Sequence, residues 1–346
     1  MLATARALAA RGINASPWRP WEERLAKADC LHLFGTLREH LPLVEAARRQ
    51  GIPVVLSTIA WYDRAAIWAE PRPWWRRAAG CGVLATRRVC PRLPSWRRQL
   101  YHSVDLLMPN SKAEAAQLAG LFGVPRERIH VVPNGAYASF AHASAEPFAS
   151  LVGCDRFILY AGRIEPRKNQ LGFLKALRGS PLPIVVLGSE VPGHERYAAE
   201  CRRIAGEQVR FVGRFEHDDP LLASAYAACG CLVLASWYET PGLAALEAAM
   251  TGTPLVLPWR GCAGEYFGPY ARYVDPRRPA SIRSAVLSAL AAGRDPALAE
   301  LVRRNYSWDA AARATAEGYL RVVKPPRNEQ AASPRAPLPQ PAPCGR

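Results

Sequence analysis

The sequence predicts an α/β fold of two doubly wound domains. Three observations carry that prediction. Short apolar runs alternate with helical segments. The alternation breaks once, at a polar stretch from Tyr137 to Ser150. At 346 residues the chain is long enough for two domains of ordinary size.

In chain order, the first element reads as a helix, with Leu2, Ala5, Leu8 and Ala9 on one face and Gly12 suited to its C-terminal cap. Strand-like runs follow at Cys30 to Phe34, Pro53 to Ser57, Leu106 to Met108 and Ile129 to Val132, with helices near 38–49 and 111–121. These make residues 1–136 a first domain, and 137–155 a linker. The second domain, 156–305, has strands near 157–161, 184–187, 209–212, 231–235 and 254–257. A helical pattern over 306–323 closes the fold. Residues 324–346 are rich in Pro, Ala and Arg without periodicity, so a disordered tail is expected.

Composition excludes several classes. Apolar residues make up 49% of the chain, yet no run approaches the roughly 18 needed to span a membrane. No secretory layout is visible at the start. Nine cysteines occur without a CxxC pair, so a reducing cytoplasm is expected; Cys229-x-Cys231 reads as packing and no metal site is expected. The net charge of +16 comes with five lysines among 45 basic residues, a nucleotide-composition bias, and no nucleic-acid-binding motif accompanies it.

Two segments carry chemistry. Phe157 to Ala161 reads as a strand, Gly162 closes it, and Arg163 and Lys168 project from the loop before a helix over Gln170 to Leu177. Cations so placed can neutralise a diphosphate leaving group, arginine through its fork and lysine as a point charge. Cys231 to Ala235 is a second buried strand. Beyond it Glu239 lies in a loop, Thr240 is suited to cap a helix, Pro241 to be its first residue, and the helix should run to about Met250. Such a helix aims unpaired N–H groups at the crevice; Gly242 admits a phosphate near Leu243, and Glu247 leans back toward the ligand. Taken singly, Arg163, Lys168, Glu239 and Glu247 also read as solvated surface charges.

Gly162-Arg163-x4-Lys168, the Val212-Gly213-Arg214 turn, Ser236-x-x-Glu239-x7-Glu247 and Gly252-Thr-Pro254 together resemble family 4 glycosyltransferases of the GT-B fold, in which two Rossmann-like domains face a cleft. Asp105-Leu-Leu-Met-Pro-Asn-Ser111 and Val131-Val-Pro-Asn-Gly135 are similar to that family's first-domain signatures. The resemblance runs from about 30 to 320. It implies transfer of a sugar from a nucleoside-diphosphate sugar, with retention, by front-face chemistry that needs neither protein nucleophile nor metal cofactor. It also implies roles. Arg163 and Lys168 bind the diphosphate and Glu239 the donor sugar, these three forming the catalytic set. Glu247 binds the ribose, Gly213 and Arg214 lie near the base, and Pro241, Gly242 and Leu243 complete the donor site. Substituting Arg163 or Lys168 by alanine is expected to weaken diphosphate binding with the fold intact.

Two departures qualify the resemblance. The family opens with a strand and a glycine-bearing turn, which help form the acceptor side; here the chain opens inside the helix, so an in-frame strand is expected upstream of Met1. The family's histidine after the second strand is replaced by Thr58-Ile59-Ala60-Trp61, leaving Asp63 as acceptor-side candidate; His102 and His130 read as structural. A catalytically inactive nucleotide-sugar-binding protein is therefore the alternative to an enzyme.

Residues 71–98 hold eight arginines, three tryptophans and no acid. That mixture suits an anionic bilayer surface, and about equally a solvated insertion, with single-stranded nucleic acid well behind both. Gly80-Cys-Gly82-x-x-Ala85 within it mimics a dinucleotide fingerprint but follows no strand. The expected enzyme is cytoplasmic and peripheral on the membrane's inner face, with a glycan or lipid-linked acceptor and no nucleic-acid partner.

Overall fold

The computed structural model describes residues 1–19, 23–69 and 72–323; the expected tail, 324–346, lies outside them. β1 (Leu31–Phe34), β2 (Val54–Ser57) and β3 (Leu106–Leu107) form a parallel sheet in that order. β4 (Ile158–Ala161), β5 (Ile184–Leu187), β6 (Val209–Gly213), β7 (Cys231–Val233), β8 (Leu255–Pro258) and β9 (Ala271–Val274) form a second parallel sheet. Its order is β6-β5-β4-β7-β8-β9. Direction of winding reverses between β4 and β7, so the crevice beyond their carboxyl ends is where such a sheet holds ligand.

β4, β5, β7 and β8 are buried along their whole length, with apolar clusters on both faces of the sheet, which is why they read as unbroken apolar runs. β9 lies at an edge, and Arg272 and Tyr273 break its apolar run; the sequence reading passed it over. Ile129 to Val132, expected as a strand, makes a single bridge from Ile129 to Leu107, because prolines 109 and 133 deprive the ladder of donors.

The stretch expected as a linker is folded. A 3-10 turn over Ala138–His142 and a helix over Glu146–Val152 place Phe140, Phe148 and Val152 in the second domain's core. Packing of that domain thus begins near residue 138 rather than 156. The first helix, Leu2–Ala9, buries Thr4 and Leu8, one turn apart, and leaves Leu2 and Ala9 exposed; the expected face is rotated.

The last helix, Trp308–Leu320, packs against the first domain. Tyr319 Oη lies 2.7 Å from His32 Nδ1, and His130 Nε2 donates to the carbonyl of Ala314 at 2.7 Å. Burial pushes His32 down to about 3, so it stays neutral and bridges Tyr319 to Ser57 Oγ at 2.9 Å. His102 likewise holds the Phe122 carbonyl at 2.9 Å. Cys229 and Cys231 are buried in the second domain, and burial raises the Cys229 thiol to about 12, so both serve packing. Gly80 to Ala85 lie inside the helix Trp74–Val89, which disposes of the dinucleotide fingerprint.

Candidate active site

The loop after β4 is built to hold its cations. Gly162 ends the strand; a 3-10 turn over Pro166–Lys168 follows, and Asn169 in the left-handed region starts the helix Gln170–Ala176. The Asn169 amide donates to the carbonyls of Ala235 (3.1 Å) and Pro276 (3.2 Å), tying the loops after β4, β7 and β9 together. Glu165 accepts from Arg167 at 3.0 Å and from Arg163 at 3.3 Å. Arg163 otherwise reaches outward, its side chain 62% exposed.

Lys168 turns inward instead. Its Nζ donates to Glu239 Oε1 at 2.5 Å, with side-chain exposures of only 12% and 5%. Ser236 Oγ donates to the same oxygen at 2.6 Å. Burial opposes the Glu239 charge, but the cations of Lys168 and Arg167 overcome it and hold the carboxyl below its ordinary range. Burial likewise draws Lys168 down, against the pull of Glu239. The two halves of the motif thus meet as one buried ion pair at the point where the sheet's winding reverses. An ion pair this buried makes Lys168→Ala a structural perturbation as well as a binding one, which corrects the expectation of an intact fold.

The Glu239 loop is held by backbone. The Trp237 N–H donates to the Arg167 carbonyl at 3.0 Å, and the Cys262 N–H to the Glu239 carbonyl at 3.0 Å. Gly261, at φ 104°, lies so close that a Cβ there would meet the Glu239 carbonyl oxygen at 1.9 Å. The next helix is Leu243–Met250, one turn fragment shorter than expected: Gly242 at φ 47° is its N-cap, and neither a Thr240 side-chain cap nor a helical Pro241 occurs. A left-handed Gly242 cannot be helical, which delays the start. The first N–H groups still lack intrahelical partners beside Glu239.

Glu247 is buried and ready-made as an acceptor. Tyr226 Oη donates to its Oε2 at 2.9 Å, and His217 Nδ1 lies 3.1 Å from its Oε1. That hydrogen bond raises the His217 pKa above its ordinary value. Gly213, in the left-handed region, ends β6, and Arg214 beside it pairs with Glu216 at 2.8 Å on the exposed rim. The sequence reading missed Arg167, His217 and Tyr226. His217 follows the quoted turn by three residues and was legible there; Tyr226 reads as core.

The first domain closes over this site. Glu265 accepts from the N–H groups of Lys112 (2.8 Å) and Ala113 (3.1 Å), the start of the helix Lys112–Phe122. Tyr266 Oη donates to the Asn110 carbonyl at 2.5 Å. Glu114, buried, accepts from Thr58 Oγ1 and the Ala60 N–H, both at 2.6 Å, and from the Asn110 N–H at 2.9 Å. It pins the loop where the family histidine is absent, and Ile59 there sits at φ 46°, a conformation that is strained for a β-branched residue. Asp63 Oδ1 caps the helix Arg64–Ala69 through the Ala66 N–H at 2.6 Å, while Oδ2 lies 3.8 Å from Arg260 of the second domain. Asp63 is therefore a structural cap that also lines the cleft.

Comparison with known proteins agrees with this fold. The family described as glycosyl transferases group 1 matches residues 146–308, and the glycosyl transferase 4-like domain matches residues 1–135. A glycogen synthase of Mycobacterium tuberculosis (strain CDC 1551 / Oshkosh) is 30% identical over 339 residues, spanning 93% of this chain and 73% of that protein. A D-inositol 3-phosphate glycosyltransferase of Xylanimonas cellulosilytica is 26% identical over 337 residues, covering 85% and 77%. Among solved structures, Anabaena Alr3699/HepE in complex with UDP and glucose superposes with a TM-score of 0.65 at 16% identity, covering 91% and 80%. The lipopolysaccharide outer core galactosyltransferase WaaB, in its apo form, gives 0.59 at 12% identity, covering 92% and 80%. These structures show the shared fold.

Proposed function

This chain belongs to the group 1 glycosyl transferases, with the GT-B fold, and from that premise we propose that it moves a sugar from a nucleoside-diphosphate sugar to a membrane-associated acceptor with retention of configuration. The observation that carries the donor site is the buried Lys168–Glu239 pair where the sheet reverses, flanked by Arg163, the Gly242 helix start and Glu247. A donor seated there places its diphosphate against Arg163 and Lys168, its sugar hydroxyls against Glu239 and its ribose against Glu247. The base then lies toward Gly213 and Arg214. The bond from the anomeric carbon to the diphosphate breaks, and the leaving diphosphate takes the electron pair. The acceptor oxygen bonds to that carbon on the same face, and its proton passes to the departing phosphate. Lys168 and Arg163 stabilise the charge that develops.

The helix Trp74–Val89 supports the membrane-associated part. Its exposed positions include Trp74 (72%), Trp75 (54%), Ala78, Gly82, Val83 and Val89, with exposed Arg76 and Arg88 at the margins. An uncovered apolar helix face edged by arginine suits the interface of an anionic bilayer. Each basic residue near that surface contributes about 1 kcal/mol. Arg87, by contrast, is buried, with its guanidinium over the Phe122 ring, and belongs to the fold. No described helix is long and apolar enough to cross a membrane. Replacing Arg76, Arg77, Arg97 and Arg98 by glutamine should release the protein from anionic vesicles in a sedimentation assay; equal sedimentation of parent and variant rules out this face. Sugar transfer to vesicle-borne lipid, measured with release of nucleoside diphosphate, separates the enzyme from a binding-only protein.

A further inference from the structure

A cavity of about 440 Å³ opens between the domains, on the other side of the Glu239 loop from the proposed nucleotide site. Sheet order separates the two places. Gly213 and Arg214 follow β6 at one edge, whereas the cavity is lined from the loops after β7, β8 and β9, and from the first domain's Arg64–Ala69 helix. We propose that this cavity is an acceptor subsite that holds a phosphate or phosphodiester group. The inference rests on the proposed donor site, because it is the Glu239 loop that brings the cavity beside the reacting sugar.

Charge and shape argue for an anion. Four arginines line the cavity against two aspartates. Arg277 is neutralised by Asp275 at 2.7 Å, and Arg260 lies 3.8 Å from Asp63. Arg64 and Arg88 have no ion-pair partner among the described residues, so the cavity keeps two uncompensated guanidinium groups, on two first-domain helices that pack against each other. Guanidinium forks match phosphate oxygens in a bidentate way, and a planar cation loses little freedom in doing so. Trp68 and Trp237 supply flat apolar walls suited to a sugar ring or an alkyl stem.

Position says where the anion comes from. Arg88 belongs to the helix Trp74–Val89, and Arg77 of the same helix lies over the Trp68 ring at 5.7 Å. The cavity therefore adjoins the apolar helix face. A phosphate at a bilayer surface can enter it while an attached lipid stays in the membrane, and the sugar to be extended then faces Glu239.

The test uses full-length protein saturated with its tightest-binding nucleoside diphosphate, titrated calorimetrically with dodecyl phosphate, inorganic phosphate or uncharged dodecyl maltoside. The parent should bind dodecyl phosphate, and Arg64→Gln/Arg88→Gln should bind it at least about tenfold more weakly, a loss expected for two charge-assisted contacts. Arg64→Lys/Arg88→Lys should fall between. Equal affinity for inorganic and dodecyl phosphate supports the anion site with a free phosphate as its source. Unchanged affinity in the glutamine variant, or dodecyl maltoside binding as tightly as the phosphate, overturns the proposal. Both arginines are exposed, so melting temperature and nucleoside-diphosphate affinity should match the parent. Loss of nucleotide binding in the parent would instead sink the donor reading.

Discussion

Lys168→Ala removes one partner of a pair whose side chains are almost wholly buried. An uncompensated buried charge of that kind costs about 3–5 kcal/mol. Glu239 keeps the Ser236 hydroxyl at 2.6 Å and the nearby Arg167, which puts the loss near the lower end, about 3 kcal/mol. For a domain of the second domain's size that corresponds to a fall in Tm of about 6–12 °C. Lys168→Met/Glu239→Gln, which deletes both charges, should recover most of it, because removing a whole buried pair is close to neutral. The pH dependence has a definite sign. Glu239 is held below the carboxyl's ordinary 4.5, so in the parent its contribution is full above that value and disappears as pH falls through the folded-state pKa. In Lys168→Ala the carboxyl protonates more readily, so the gap to the parent narrows on acidification. Thermal melts followed by circular dichroism at about pH 7.5 and pH 5 read both effects. A single variant melting within about 1 °C of the parent, or a double variant no better than the single, refutes the reasoning.

Gly261→Ala should push the Glu239 carbonyl away, since its Cβ would overlap that oxygen; diphosphate affinity and Tm should both fall, and a crystal structure with Glu239 unmoved contradicts this. His217→Gln removes a histidine raised above 6.5 by its hydrogen bond to Glu247, with Arg214 opposing and Glu216 assisting. A raised histidine stabilises fully below about 6.5 and ceases to as pH passes its folded value, so the Tm difference between parent and variant should close on going alkaline. Over the same range nucleoside-diphosphate affinity should rise in the parent alone, as Glu247 is released to the ribose; parallel pH profiles in both proteins refute that competition.

How much was legible depended on where each signal resides. β4, β5, β7 and β8 were readable because strands covered on both faces must be apolar throughout. β9 was not, because an edge strand tolerates Arg272 and Tyr273. The buried aromatics at Phe140 and Phe148 were hidden among Ser, His and Ala, so a folded segment read as a linker. Of the candidate site, Arg163, Lys168, Glu239 and Glu247 were singled out by spacing and resemblance. Spacing could not reveal that Lys168 and Glu239, 71 residues apart, neutralise each other, since that depends on how two loops cross at the sheet's reversal. Glu114 and Tyr266 were invisible for the same reason: their partners come from elsewhere in the fold.

The donor site itself is tested most directly by titrating UDP, ADP and GDP into the parent and Arg163→Ala by calorimetry. The Arg163 side chain is exposed and, among the described residues, pairs with Glu165 alone, so its loss should leave the melting temperature unchanged. With the tightest-binding nucleotide, Arg163→Ala should lose about 1.5–3 kcal/mol, roughly tenfold to a hundredfold in affinity. Equal affinity in the two proteins, or a parent that binds none of the three nucleotides, would contradict the account.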